Sequence, residues 1–206
     1  MTTPQTQTKG IKRLLFGSYA GYVESLAPIF ALCCFLFTFS LGMGYLLGET
    51  MPATAMNDLL GAFPDISSMS LPELFAFVAT NNAVKSLLFM LGGLLGGVLP
   101  LFFVIFNGFF IGWVAYSLGS AYGIGYIVVG LTPHGVIEIP AIILAMSMGM
   151  SLGYAVLNHI RGEGGLMKEV RSALGLFLTR VVPLLILAAV IEVTITPLVM
   201  ALLGYV

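Results

Sequence analysis

Between Lys85 and His134 the chain runs for 48 residues without a charged side chain, and shorter uncharged runs of 24 and 20 residues separate Glu24 from Glu49 and Glu138 from His159. One bilayer crossing needs about 20 consecutive apolar residues. Runs of this length cannot be kept dry inside a domain of ordinary size, and composition agrees: of 206 residues 59% are hydrophobic and 8% charged, where soluble domains carry about a quarter charged. Mean hydropathy is +1.05. The chain reads as an all-α, polytopic transmembrane helical bundle in a lipid bilayer, with residues 1–206 as a single transmembrane domain. A formal net charge of −1 with no extended basic cluster excludes nucleic acid as a partner. Cys33 and Cys34, adjacent in an apolar run, cannot form a disulfide framework.

The apolar run behind Lys9, Lys12 and Arg13 is longer than a signal-peptide core of about 7 to 15 residues, so residues 23–48 are expected to be a retained first span. Ahead of it Ile11, Leu14, Leu15, Ser18, Tyr19 and Tyr22 recur at helical spacing, which predicts a cytoplasmic tail with an interfacial amphipathic helix over residues 1–22. Residues 49–72 hold Glu49, Asp58 and Asp65 without a basic residue, whereas 159–172 hold Arg161, Lys168 and Arg171. Basic loops stay inside. The N-terminus and the 159–172 loop are therefore expected on the cytoplasmic side of the cell membrane, with the 49–72 loop and the C-terminus outside. An odd number of crossings between the two loops predicts spans near 74–97, 99–119 and 133–158, with a tight turn at Gly96-Gly97, and a last span near 174–204 makes five. A re-entrant half-span at 120–132 would keep that count.

Glycine occurs 25 times, above the usual share of about 7%. Much of it stands four apart, as in Gly92/Gly96, Gly93/Gly97, Gly108/Gly112 and Gly149/Gly153. In lipid, where apolar burial drives little association, small residues let helix backbones meet. Packing within one subunit accounts for the pattern, and a homo-oligomer seam, a dimer first, is the alternative.

An ionisable side chain at bilayer depth costs from about 2.5 to over 10 kcal/mol and needs a partner, a wet cavity or a task. The candidates are Asn81, Asn82 and Lys85 in the second span, Asn107 in the third, His134 and Glu138 in the fourth and Glu192 in the fifth. In Thr132-Pro133-His134-Gly135-Val136-Ile137-Glu138-Ile139-Pro140, threonine can cap a helix that starts on Pro133, and i, i+4 spacing puts His134 and Glu138 on one face. Pro140 removes the donor to Val136, and Pro197 the donor to Val193, beside Glu138 and Glu192. A discontinuous, proline-interrupted fourth helix is expected.

Three readings compete for this cluster. Lys85 pairs with Glu138 or Glu192 while the asparagines bridge helices, locking the bundle. The carboxylates bind a permeating cation or proton. Or His134, Glu138 and Glu192 hold a divalent metal, the one cofactor the chain offers, although a lysine nearby would oppose it. No HExxH, GxSxG or paired-Asp pattern is present, so no enzyme is expected. Met146, Met148 and Met150 read as packing, and Trp113, Tyr116, Tyr122 and Tyr126 as an interfacial aromatic belt.

These residues resemble the stage II sporulation protein M family across nearly the whole chain. The resemblance rests on Asn81-Asn82 with Lys85, on Phe106-Asn107-Gly108, on Pro133-His134-Gly135 followed by Glu138, Pro140 and Ala141, and on Ile191-Glu192 with Pro197. The sequence is more like the family's relatives in organisms that do not form spores. The resemblance implies a membrane scaffold for envelope remodelling or membrane organisation. Separately, the acidic outer loop, where Leu59, Leu60, Phe63 and Leu71 supply apolar contacts, is the expected place for envelope proteins to dock. The alternative is a channel or transporter for a small cation or proton using Glu138, Glu192 and His134.

Overall fold

A computed structural model of the chain describes residues 19–52, 54, 61 and 68–205. The expected interfacial helix ahead of residue 19, and Asp58, Leu59, Leu60, Phe63 and Asp65 of the outer loop, lie outside the described residues. Leu71 is exposed.

The described residues form helices and no strands, and five helices are long and apolar enough to cross a membrane. We label them α1 (Ala20–Leu47, continued by a tight turn at Gly48–Thr50), α2 (Leu71–Gly92, continued by Gly93–Leu95), α3 (Val98–Tyr122), α4 (Ile124–Ile160) and α5 (Leu166–Leu202). The expected hairpin between the second and third spans is present. Gly96 and Gly97 take φ of 79° and 80°, a left-handed backbone that stops α2, and Pro100 falls in the first turn of α3, where a missing N–H costs no hydrogen bond.

Two expectations are corrected. The fourth span is one unbroken helix of 37 residues that begins at Ile124, not a discontinuous helix from Pro133. A single residue, Gly123 at φ 88°, separates it from α3, so residues 124–132 are helical and not re-entrant. Proline removes one donor but leaves the neighbouring i→i−4 bonds intact, and membrane helices tolerate that loss. The irregularity lies in α5 instead. There, two wide π-turns, Phe177–Val181 and Ile191–Ile195, interrupt the α-helix, each followed two residues later by a proline, Pro183 and Pro197. The inner loop is also shorter than expected, because α5 begins at Leu166 with Lys168 and Arg171 exposed on its first turns.

The chain divides into two compact units, and every helix contributes to both. The first comprises the described part of Met1–Cys34 with Ala83–Val104 and Pro140–Leu184. Its core holds Leu26, Cys33, Met90, Val104, Met146, Met148, Leu152 and Phe177. Backbone meets backbone here: a Cβ on Gly93 would overlap the carbonyl of Gly149, and one on Gly153 the backbone of Gly96 and Gly97. The second comprises Phe35–Asn82, Ile105–Ile139 and Leu185–Val206. In it Gly108 and Gly112 lie against the backbone of Phe37 and Leu41, and Gly44 against that of Phe109, so α1 and α3 touch along a glycine seam. Three of the four glycine pairs are thus used inside the subunit, and Met146 and Met148 are packing residues. Phe35, Phe39, Leu46, Leu88 and Leu95 point outward, as a surface solvated by lipid requires.

Candidate functional site

The polar side chains of the second unit come together on three helices. On α4 an unbroken α-helix keeps His134 and Glu138 one turn apart on the same face. On α5 Glu192 is the second residue of the π-turn Ile191–Ile195, where the backbone N–H of Thr196 bonds to the carbonyl of Ile191. The extra residue in such a turn rotates the following side chains out of α-helical register. Pro197, with no N–H, stands just beyond it in the last helical segment, Thr196–Leu202. One ligand atom each from His134, Glu138 and Glu192 lies within 4.8 Å of the other two, and all three residues are half-buried.

Two further helical residues hold this trio. Asn82 of α2 donates from Nδ2 to Glu138 Oε1 at 2.9 Å, and Asn81 donates to Asn82 Oδ1 at 3.3 Å. The buried hydroxyl of Thr196 lies 3.4 Å from His134 Nδ1. In the tautomer that carries its proton on Nδ1 the ring presents the Nε2 lone pair. An imidazole, two carboxyl groups and a carboxamide on one carboxylate oxygen form a donor set that can take a proton, a metal ion or another small cation. Two carboxylates at membrane depth repel one another unless a cation or a proton lies between them.

Of the seven expected polar residues, Asn81, Asn82, His134, Glu138 and Glu192 are gathered here. Asn107 is half-buried on α3 in the same unit. Lys85 departs from expectation: it belongs to the first unit and is exposed, not buried. Counting residues from the end of a span gives depth, whereas burial is set by which way a helix turns its face, and the face was not readable.

Thr196 was not legible as a site residue, since a threonine in an apolar helix is common and its partner is 62 positions away. A second polar group also escaped sequence reading. In the first unit Ser151 donates to Glu169, and the buried hydroxyl of Tyr22 lies beside the same carboxylate. Glu169 falls within the expected 159–172 loop, and the early start of α5 places it on a helix. In the second unit Tyr122 stacks on Tyr126 at 4.9 Å and Tyr126 stands edge-on to Tyr205 at 6.0 Å.

A family model described as stage II sporulation protein M matches residues 31–197. Among curated proteins, an uncharacterised protein of Methanocaldococcus jannaschii is 29% identical over 168 residues, covering 79% of this chain and 91% of the relative. A second uncharacterised protein of that organism is 34% identical over 105 residues, 48% of this chain and 47% of the relative. No solved structure is significantly similar.

Proposed function

This chain belongs to the stage II sporulation protein M family, and from that premise we propose that it is a multi-pass membrane protein that binds and passes a small cation or proton through the site at His134, Glu138 and Glu192. The observation that carries the reading is the convergence of two carboxyl groups and an imidazole within 4.8 Å at helix positions inside apolar spans. Ionisable groups inside apolar spans are costly and point by default to a functional site, ion paths and proton relays among them. Support also comes from α5, whose π-turn at Glu192 is the kind of helix irregularity that recurs at functional sites.

The scaffold reading asks for a cluster that only locks the helices, with Lys85 buried inside it. The excess of Lys and Arg between residues 161 and 171 supports an orientation in the cell membrane with the α4–α5 turn and the N-terminus on the cytoplasmic side. Five crossings then carry the C-terminus outside.

The test is flux into proteoliposomes reconstituted with the full chain, read for H⁺, Na⁺, Mn²⁺ and Zn²⁺ with entrapped dyes. At least one of these is expected to enter faster than into protein-free vesicles, and Glu138→Gln is expected to slow it about tenfold or more. Flux indistinguishable from empty vesicles for every ion, or unchanged in Glu138→Gln, would overturn the proposal.

A further inference from the structure

We infer that the ligand of this site is a divalent transition-metal ion, bound by His134, Glu138 and Glu192 and selected over Mg²⁺, Ca²⁺ and the alkali cations. The inference rests on the functional reading above only for what the ion then does; the site itself stands on geometry. Three side chains, two of them one helical turn apart and the third carried by a π-turn on another helix, offer ligand atoms within 4.8 Å of one another. Around a tetrahedral ion with bonds of about 2.0 to 2.2 Å, ligand atoms stand roughly 3.3 to 3.5 Å apart. Closing the trio requires movements of no more than roughly 1.5 Å at the ends of glutamate side chains, which staggered rotations supply.

The chemistry of the donor set chooses the ion. Mg²⁺ and Ca²⁺ take oxygen ligands, six or more of them, and Mg²⁺ gives up water reluctantly. One nitrogen and two carboxylates suit Zn²⁺, Mn²⁺ and Co²⁺, and leave positions open for water, as in a site that must release what it binds.

Outer partners are present as well. A metal-bound histidine is held by whatever its other nitrogen meets, and here Nδ1 faces the buried Thr196 hydroxyl. A metal-bound carboxylate is held in place by hydrogen bonds from its neighbours, and Asn82 Nδ2 makes one to Glu138 Oε1 at 2.9 Å.

The experiment uses the full-length protein in detergent, stripped with chelator, then titrated with Zn²⁺ or Mn²⁺ in excess Mg²⁺ and Ca²⁺. Elution volume and thermal unfolding are measured alongside. One Zn²⁺ is expected per chain, with affinity falling roughly ten- to a hundredfold in Asn82→Ala and by more in His134→Ala and Glu192→Gln. Co²⁺ loaded into the unaltered protein covers the case in which a ligand variant does not fold. It is expected to show d–d bands of a nitrogen and oxygen site, without the thiolate charge-transfer band that Cys33 or Cys34 would give. No Zn²⁺ or Mn²⁺ held against Mg²⁺, equal affinity in folded His134→Ala and Glu192→Gln, or a thiolate band would each overturn the assignment. Flux separates the two claims. Proton or Na⁺ flux that still depends on Glu138 with no metal bound would sink the metal and leave transport standing. Metal bound at the trio without any flux would do the reverse.

Discussion

Two stretches of the single helix α4 have opposite characters. Over residues 141–153 Ala145, Met146, Ser147, Met148 and Leu152 are fully enclosed, and Gly149 and Gly153 bring the backbone against neighbouring backbone. Over residues 124–139 only Gly135 is buried, and His134 and Glu138 stand half-open on one face. The first stretch spends its small residues on close approach and carries no titratable side chain. The second carries an imidazole and a carboxyl group, both half-buried. Within one helix, close packing and ionisable side chains are kept to separate stretches.

The comparison breaks most easily at the dense stretch. Gly149→Val adds atoms where even a Cβ would press on Met90 and Pro100. Overpacking a tight core costs about 1 to 3 kcal/mol, and more where backbone must yield, so loss of most folded protein on size exclusion is expected; a normal yield would show the seam is loose. Leu152→Ala opens a cavity at a fully buried position and is expected to cost about 2 to 4 kcal/mol, read as a drop in Tm of the solubilised protein.

The half-open stretch predicts smaller changes in stability. Asn82→Ala removes one hydrogen bond to Glu138 and is expected to cost about 0.5 to 1.5 kcal/mol, visible as a slight fall in Tm. A loss as large as that of Leu152→Ala would mean that the site is part of the core. Val136→Ala, at a side chain 66% exposed, is expected to change stability by less than about 0.5 kcal/mol. Any greater effect, measured by the same thermal scan, would point to a covering partner on that face.

Much of this contrast could be read from residues alone, and the reasons for the remainder are physical. Uncharged runs reveal crossings, because charge is what a bilayer excludes, and all five spans were legible. His134 and Glu138 were legible as a pair because an i, i+4 interval survives in any helix. The start of α4 was misplaced by nine residues, since Pro133 resembles a helix start and nothing local says that the helix runs through it. The π-turns were legible only in part: Pro197 marked a lost donor beside Glu192, but the i→i+5 bond itself is made by backbone that every residue possesses. Lys85 was expected to be buried and is exposed, because residue counting says nothing about which way a helix turns its face. Thr196 could be recognised only from its partner.

The account's central claim is that Glu138 serves a ligand and Leu152 serves the fold. The direct measurement is Tm and ion flux on the same preparations of Glu138→Gln and Leu152→Ala, with flux scaled to the folded fraction. The account predicts that Glu138→Gln keeps its Tm within a few degrees and loses flux, while Leu152→Ala loses Tm and passes ions normally for each folded molecule. Glu138→Gln unfolding as readily as Leu152→Ala, or passing ions at the unaltered rate, would contradict it.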